Sequence, residues 1–435
     1  MRRTSVLRVS LSIALGLCAW MHVYAQPVAA AKDPAAEEDA AALVERARSV
    51  VAWMLREQPN YTCVMTMERT RREPGDKRYT LLDRLRLEVA YVGGKELFSW
   101  PGEAHFEAQH PGMLAGGAGV TGTGDFGMHL EHTYLGSTPL HFDGRVTLDG
   151  RPALKFSQRV DRARSRYEVA VDKQRGLVGY EAVAWHAADT FELLRFELHV
   201  DELPAGLKVR LTDKLIEYRS VQVGGHAFRL PAQTDLSMTH IDGRENRTLT
   251  RFSNCHEFTG ESTISFEDPA PSAQTRQAME NAVVPAGLRV SSQLDEELDL
   301  SKAARGDMVT WTVTAVKGKV QSSVLAPGAK LRARIIHLAC YAAQFGYCFA
   351  LLKPESFTLE NRRGEFRAEL ELPSFERSLT VGKQGMEGAY IVGVPSQVMN
   401  APADVAQLFV RMVTKLPRGY QFVWRTLEAL GSPAP

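Results

Sequence analysis

Alternating apolar and polar residues, repeated in one segment after another, constrain the fold of this chain more than any other feature. Successive side chains of a strand point to opposite faces, so each such run predicts a strand with one apolar and one mostly polar face. Two early runs have as their apolar members Tyr61, Cys63, Met65 and Met67, and then Leu85, Leu87, Val89 and Tyr91. Gly-Gly and Asp-Gly pairs predict tight turns at Gly93-Gly94, Asp143-Gly144, Asp149-Gly150, Gly224-Gly225 and Asp242-Gly243.

The strand pattern continues over most of the first half of the chain and predicts an antiparallel meander. One amphipathic helix precedes it, beginning at Asp33-Pro34, with Leu43, Ala47, Val50, Val51 and Met54 on its apolar stripe, and ending near Gln58-Pro59. The further strand candidates are Arg151 to Val160, Arg166 to Asp172, Leu177 to Trp185, Phe191 to Val200, Lys208 to Val223, Phe228 to Ile241 and Arg247 to Phe258.

The first 25 residues have the pattern of a secretory signal. Arg2 and Arg3 precede an apolar run from about Val9 to Met21, and Val23-Tyr24-Ala25 supplies a cleavage site. The run is too short to span a bilayer of about 30 Å as a helix. We therefore expect a signal peptide over 1–25 and an exported protein, periplasmic or extracellular, with association to an outer membrane left open.

Two alternatives to cleavage stay open. The first is lipid modification of Cys18, although Leu17 precedes it where a lipoprotein signal needs a small residue. The second is a signal that stays uncleaved as a membrane anchor.

Removal of the signal lowers the formal charge from +1 to −2, so the chain has no general electrostatic attraction to nucleic acid. No later segment approaches 18 consecutive apolar residues, and we expect no transmembrane segment in the mature chain.

Cysteine usage agrees with export. Loss of Cys18 leaves Cys63, Cys255, Cys340 and Cys348, an even set that suits an oxidising compartment. Four cysteines allow three pairings. We favour Cys63 with Cys255 and Cys340 with Cys348, because each pair then lies within one predicted domain. Structural zinc is the competing interpretation, but the four do not form the usual CxxC pairs.

A stretch rich in Pro, Ala and small polar residues divides the chain. We predict an N-terminal tail at 26–34, a half-barrel domain at 35–267, a linker at 268–286, a small β domain at 287–430 and a tail at 431–435. In the second domain, strand alternation is clear around Trp311 and again from Gly419 to Thr426. Asp404 to Lys415 is predicted to be a short helix.

One helix leading into a long meander resembles the half-barrel of LolA-like and RseB-like proteins, over roughly Ala35 to Asp268. Tyr61-Thr62-Cys63, the segment from Asp83 to Val89, and the segment from Phe258 to Thr263 also resemble a group of uncharacterised secreted bacterial proteins. The second domain, with Gly306-Asp307 and Ala326-Pro327-Gly328-Ala329 before strands, is similar to a small β-barrel of TrbI-like proteins. These resemblances imply fold more than function.

The glycine-rich stretch from Gly112 to Gly127, here called the flap, has the most unusual local composition. It lacks the Lys and Ser or Thr that a phosphate-binding loop needs after its last glycine. We expect a segment between strands that closes or lines the concave face of the half-barrel, followed by a short helix from Asp125 to Leu135. Its predicted flexible positions are Gly116, Gly117, Gly119, Gly122 and Gly124.

Enzymatic chemistry has little support in the sequence. There is no G-x-S-x-G elbow, and every mature cysteine is assigned to a bridge. A metal-dependent hydrolase stays as an alternative, without the HExxH spacing; the candidate zinc ligands are His105, Glu107, His110, His129, Glu131 and His132. We predict no metal and no other cofactor.

The basic clusters Arg69, Arg71, Arg72 and Arg162, Arg164, Arg166 are expected to be solvated faces. Binding of an anionic lipid headgroup or a glycan is the alternative function of these clusters.

The sequence therefore predicts a mainly β protein: an antiparallel half-barrel with one packing N-terminal helix, followed by a smaller β-barrel or β-sandwich. Its expected function is non-enzymatic binding of a lipid, a lipoprotein acyl chain or another apolar ligand on the concave face. An envelope scaffold that binds a protein partner is the alternative. The candidate ligand-binding residues are Leu85, Leu87, Val89, Tyr91, Phe98 and Trp100. Packing as ordinary core is the competing interpretation of these six residues.

Overall fold

The computed structural model describes residues 34–103, 105–106, 108–116, 119–171, 174–258, 280–318, 324–341, 347–371, 405–411 and 415–428. The predicted signal peptide, the C-terminal tail and most of the linker lie outside these ranges. No helix of the described part is long and apolar enough to cross a membrane.

The first unit is an antiparallel sheet with few helices. Its helices are α1 (Pro34–Glu57), α2 (Pro111–Ala115) and α3 (Met128–Leu130), followed by a π-helical turn at Glu131–Leu135 and a 3-10 turn at Ala205–Leu207. Its strands are β1 (Tyr61–Arg72), β2 (Thr80–Val92), β3 (Lys95–Ser99), β4 (His141–Leu148), β5 (Arg151–Val160), β6 (Glu168–Val171), β7 (Gln174–Leu177), β8 (Gly179–Ala187), β9 (Leu193–Glu202), β10 (Val209–Val223), β11 (His226–His240) and β12 (Glu245–Glu257).

Ten of these strands form one curled sheet in the order β3-β2-β1-β12-β11-β10-β9-β8-β5-β4, and β6 pairs with β7 as a separate hairpin. The neighbours are antiparallel throughout, with β1 joining the first strands of the meander to β12, its last strand. Apolar side chains of alternating positions cover one face. Ala47, Val51 and Met54 of α1 are buried on that face, in the same core cluster as Phe156 and Phe196. The predicted half-barrel with a packing helix is confirmed.

The second unit is also β-rich and has its own core around Trp311 and Trp424. Its strands are β13 (Glu280–Asn281), β14 (Arg289–Leu294), β15 (Leu298–Asp299), β16 (Met308–Lys317), β17 (Lys330–Tyr341), β18 (Tyr347–Leu359), β19 (Arg362–Glu365), β20 (Ala368–Leu370), β21 (Ala406–Arg411), β22 (Lys415–Leu416) and β23 (Gln421–Thr426). Nine of them form one sheet, while β15 pairs with β22. The part of the predicted linker that is described includes β13, which pairs in parallel with β19.

Two local predictions were wrong. The segment predicted as a helix from Asp404 to Lys415 contains β21 and the start of β22, because β21 completes its backbone hydrogen bonds by pairing with β18. Val405 and Leu408 are buried, and their spacing of three residues imitates a helical stripe. Asp143-Gly144 lies inside β4 at a register shift and makes no turn. The other four Gly-Gly and Asp-Gly pairs lie between paired strands, as predicted.

Both predicted disulfides are present, Cys63–Cys255 in the first unit and Cys340–Cys348 in the second. Cys340 and Cys348 are direct partners in the β17–β18 ladder. Cys63 lies on β1, next to the register shift in its pairing with β12. Each bridge therefore joins neighbouring strands of one unit, and neither crosses between units.

The two units meet along β2. The backbone N–H of Arg86 donates to the carbonyl of Arg305 at 2.7 Å, and the N–H of Arg305 donates to the carbonyl of Arg84 at 2.9 Å. The Arg86 guanidinium also donates to the Asp307 carboxylate at 2.6 Å. This short parallel bridge places Arg305 of the second unit beside the region that the flap covers.

Candidate functional site

The candidate ligand-binding residues line one apolar cluster of the half-barrel. Relative exposure is 0% for Leu85 and Leu87, and Trp100 is half-buried. They share the cluster with the inward residues of β1 and with Ala108, Ala115 and Phe126. The apolar surface that was predicted for a ligand is thus covered by residues from the flap and from the segment just before it.

Phe126 is the aromatic anchor of this covering. Its ring centroid lies 4.9 Å from that of Phe252 in an edge-on arrangement and 5.7 Å from that of Tyr61. Tyr91 stacks at 6.3 Å. Burial of one aromatic side chain among three others gives the end of the flap a defined apolar contact.

The flap begins with a short helix whose ends are fixed locally. The His110 Nδ1 accepts the N–H of Gly112 at 2.9 Å, and Pro111 occupies the first turn of α2, where it needs no hydrogen-bond partner. The Gly116 N–H closes the turn on the carbonyl of Gly112. Of the glycines predicted to be flexible, Gly116, Gly119, Gly122 and Gly124 are described, and Gly117 lies outside the described residues.

Two glycines let the flap backbone approach a buried polar cluster. A Cβ at Gly122 would lie 3.2 Å from the Lys214 Nζ, and one at Gly124 would lie 2.7 Å from the His129 Nε2. Gly124 also has a φ of +91°, a conformation that side chains with a Cβ rarely adopt. The glycine content of this segment therefore serves close contact with the sheet.

The centre of the polar cluster is an ion pair between the flap and β10. The Lys214 Nζ donates to Asp125 Oδ1 at 2.6 Å and to the Thr123 carbonyl at 2.7 Å. The exposed fractions of the Lys214 and Asp125 side chains are only 2% and 7%. Thr234 Oγ1 donates to Asp125 Oδ2 at 2.9 Å, and the Tyr218 hydroxyl donates to the Asp125 backbone carbonyl at 3.1 Å. The carboxylate is thus held by side chains of two strands.

Electrostatics favour the charged form of this lysine. Burial lowers the pKa of Lys214, but the nearby Asp125 carboxylate and Tyr167 hydroxyl outweigh that effect and leave it raised. The His129 Nε2 lies 2.9 Å from the Thr123 carbonyl and 3.1 Å from the Lys214 Nζ. Burial and the lysine charge hold the pKa of His129 well below its ordinary value, so this imidazole is neutral.

A second carboxylate holds the flap through its backbone. The two oxygens of Glu96, on β3, accept the N–H groups of Gly124 at 2.8 Å and Phe126 at 3.0 Å. Burial raises the pKa of Glu96 to about 7, and the Asp125 carboxylate adds to that rise. One lysine thus faces two carboxylates, of which Glu96 takes up a proton near neutral pH.

The contribution of Glu96 to the stability of the fold should consequently fall as the pH rises through this range. The pKa of Glu96 is about 7 in the folded protein against an ordinary 4.5, so the folded state binds more protons than the unfolded chain between those values. We expect Glu96 to contribute a decrease of about 2 kcal/mol in the free energy of unfolding between about pH 5 and about pH 8. Urea titration measures it as the difference between wild type and Glu96→Gln, because the lowered pKa of the buried His129 acts in the opposite direction in both proteins. Glu96→Gln should remove most of this decrease, whereas Glu131→Gln, at an exposed position, should retain it. An equal pH dependence of stability in Glu96→Gln and wild type would contradict the assignment.

Two arginines hold the C-terminal end of α2, where helix carbonyls lack intrahelical partners. Arg69, which is 2% exposed, pairs with Asp83 at 2.6 Å and donates to the carbonyls of Gly116 at 3.1 Å and Ala115 at 3.4 Å. The prediction that Arg69 lies on a solvated face was therefore wrong. It occupies the next inward position of β1 after Met67, and the paired carboxylate makes its burial tolerable.

The second arginine comes from the other unit. Arg305 donates from Nη1 to the Ala115 carbonyl at 2.7 Å and from Nη2 to the Leu114 carbonyl at 3.3 Å. Its guanidinium also lies 5.6 Å from the centre of the Trp100 ring, one of the six candidate ligand-binding residues. Both units thus take part in holding the flap against the sheet.

The candidate zinc ligands have other roles or lie apart. Across the described residues, no three His, Cys, Asp or Glu side chains gather in a way that could hold a metal ion. His110 caps α2 and His129 belongs to the buried polar cluster. His105 and Glu131 are exposed, His132 is half-buried, and Glu107 lies outside the described residues.

Comparison with solved structures finds similarity only at the level of the coarse fold. No family model and no curated protein matches the sequence. A DUF1329 family protein from Desulfovibrio piger ATCC 29098 is 14% identical, covers 52% of this chain and 97% of its own, and has a TM-score of 0.27. A LolA superfamily protein from Nitrosomonas europaea is 12% identical, covers 49% of this chain and 93% of its own, with a TM-score of 0.27. These values carry no argument about function, and the half-barrel assignment rests on the strand pairing itself. The similarity of the second unit to TrbI-like domains stays a prediction.

Proposed function

We propose that this chain is an exported, non-enzymatic binding protein that accepts an apolar chain, such as a lipid or lipoprotein acyl group, between the flap and the apolar face of β1 to β3. The observation that carries the proposal is the way the flap is attached. Among the described residues of the flap, only Leu114, Ala115, Val120 and Phe126 contribute apolar side chains to a core cluster, while polar groups of the surrounding structure hold its backbone.

Polar attachment suits a cover that has to move. Hydrogen bonds to backbone groups are directional, and each bond from a charged side chain contributes only about 1.5 to 3 kcal/mol net, because water replaces the partner when the contact opens. The apolar side chains beneath the flap would then be available to a ligand. An acyl chain that replaces Phe126 would gain about 25 cal/mol for each Å² of buried apolar surface, before the costs of association.

Arg305 offers a test of this proposal that does not disturb the apolar cluster. Arg305→Ala removes two hydrogen bonds to α2, so we expect faster association of a fluorescent fatty acid, by about tenfold, with little change in its spectrum when bound. Arg332→Ala, an exposed arginine on β17 of the same unit, is the matched control and should bind like wild type. Stopped-flow fluorescence measures the rates. Absence of saturable binding in wild type and in Arg305→Ala would reject the proposed function.

A partner-binding scaffold is the second candidate, and exposed apolar side chains favour it. Trp53 on α1 is 54% exposed, Leu135 in the adjoining π-helical turn is 50% exposed, and Met113 on the flap is 70% exposed. Large apolar side chains in contact with water often belong to protein interfaces. A photoreactive amino acid incorporated in place of Trp53 would crosslink one defined protein neighbour in cells if this function holds. No acyl probe would then bind.

A further inference from the structure

We propose that one end of the half-barrel is a docking surface for an anionic lipid bilayer. Four connections between elements form this end: the turn 161–167, strand β7 with Val178, the loop 203–208 and the turn 241–244. The inference goes beyond the proposed acyl site, since the surface would hold the protein at a membrane whether or not the flap binds a chain.

Hydrogen bonds and close contacts join these four connections into one strip. The Val178 N–H donates to the Tyr167 carbonyl at 3.1 Å, and the Ile241 N–H donates to the Lys208 carbonyl at 3.0 Å. Gly176, next to Leu177, packs so closely against Pro204 that a Cβ there would lie 2.9 Å from the proline ring. The strip therefore runs without a gap from the arginine turn to the β11–β12 turn.

Positive charge is concentrated at one end of the strip. Arg162, Arg164 and Arg166 are exposed, and within the described part of the chain no carboxylate forms an ion pair with any of them. Glu202 accepts only the backbone N–H of Arg162, at 3.1 Å, while Asp201 pairs with Arg159 at 2.8 Å and Glu168 pairs with Arg175 at 3.7 Å. Asp161, in the same turn, offsets one of the three positive charges and leaves an excess of two. The three guanidinium groups are thus available to an external anion.

Aliphatic side chains protrude from the rest of the strip. Ile241 is 67% exposed at a turn, a place where polar residues are usual, and Leu177 is 46% exposed on β7. Lys208 is exposed beside Ile241. The combination of unpaired guanidinium groups with protruding aliphatic side chains fits a bilayer, whose surface offers phosphates outside and hydrocarbon a few ångströms deeper.

A polyanion in solution would use the arginines but would gain nothing from the exposed Ile241 and Leu177. A protein partner would need a larger continuous apolar patch than two separated side chains provide. The surface therefore favours lipid, with the arginines at the phosphates and the aliphatic tips at the hydrocarbon boundary.

Vesicle sedimentation with the full exported chain tests the inference. We expect binding to vesicles made of equal parts phosphatidylglycerol and phosphatidylcholine, and much weaker binding to pure phosphatidylcholine. The triple variant Arg162→Ser, Arg164→Ser and Arg166→Ser should lower the partition coefficient by about tenfold or more. A control variant removes three exposed lysines elsewhere, Lys95→Ser, Lys302→Ser and Lys353→Ser, and should bind like wild type. Circular dichroism and the thermal midpoint confirm that each variant folds.

The aliphatic contribution has its own variant. Ile241→Ser with Leu177→Ser should also weaken binding to anionic vesicles, while leaving its salt dependence unchanged because the arginines remain. Equal binding to both vesicle types, equal loss in the lysine control, or capture by heparin without any vesicle binding would each overturn the proposal. Arg305→Ala should bind vesicles like wild type, so failure of the acyl site and failure of this surface are distinguishable.

Discussion

Replacement of Lys214 by methionine should lower the free energy of unfolding by about 3 to 5 kcal/mol, measured by urea titration near neutral pH. The Asp125 carboxylate is only 7% exposed and receives its shortest hydrogen bond from this lysine. Without the cation, a buried charge is left with Thr234 as its side-chain donor among the described residues. Loss of one partner of a buried pair costs more than the pair itself contributes, because the remaining charge stays desolvated.

Two controls separate this effect from loss of a lysine in general. Lys415→Met removes a half-exposed lysine that pairs with Glu297 and Asp299, and it should leave stability close to that of wild type. The double variant Lys214→Met with Asp125→Leu should recover a large part of the loss, because neither charge of the buried pair remains. A loss below about 1 kcal/mol in Lys214→Met would mean that the flap does not bury this pair in solution.

The two disulfides should differ in their contributions to stability. Cys63 and Cys255 are 192 residues apart, whereas Cys340 and Cys348 are 8 apart. In the loop-entropy model, these separations correspond to about 5 and about 2.5 kcal/mol, both upper estimates. We expect the double variant Cys63→Ala and Cys255→Ala to lose about 2.5 kcal/mol more than Cys340→Ala and Cys348→Ala. Denaturant unfolding of the oxidised proteins provides the measurement, and an equal or reversed order would contradict the model.

Strand alternation was sufficient to predict the sheet because its period is set by the backbone. The segment from Arg151 to Val160 was predicted at both ends, and it coincides with β5. The same alternation also places two charged residues at inward positions. Arg69 follows Cys63, Met65 and Met67 on the inward face of β1, and Lys214 lies between the inward residues Thr212 and Ile216 on β10. A charged residue at an inward position predicts a buried partner.

The identity of those partners lay beyond the sequence. Asp125 meets Lys214 only where the flap lies on the sheet, Glu96 lies on a different strand, β3, and neither has a local pattern that predicts burial. The glycines of the flap suggested a flexible cover, whereas Gly122 and Gly124 provide space for the Lys214 and His129 side chains. No sequence pattern predicts the role of Arg305, since its contact with α2 depends on how the two units pack.

The most direct test of the account uses a fatty acid that carries a photoreactive diazirine near the end of its acyl chain. After irradiation with the purified protein, peptide mass spectrometry locates the labelled residues. We expect label on β2 between Leu85 and Tyr91 and on the flap near Phe126, with competition by unlabelled fatty acid. Label confined to exposed residues such as Trp53 and Met113, or label that unlabelled fatty acid does not reduce, would contradict an apolar binding site beneath the flap.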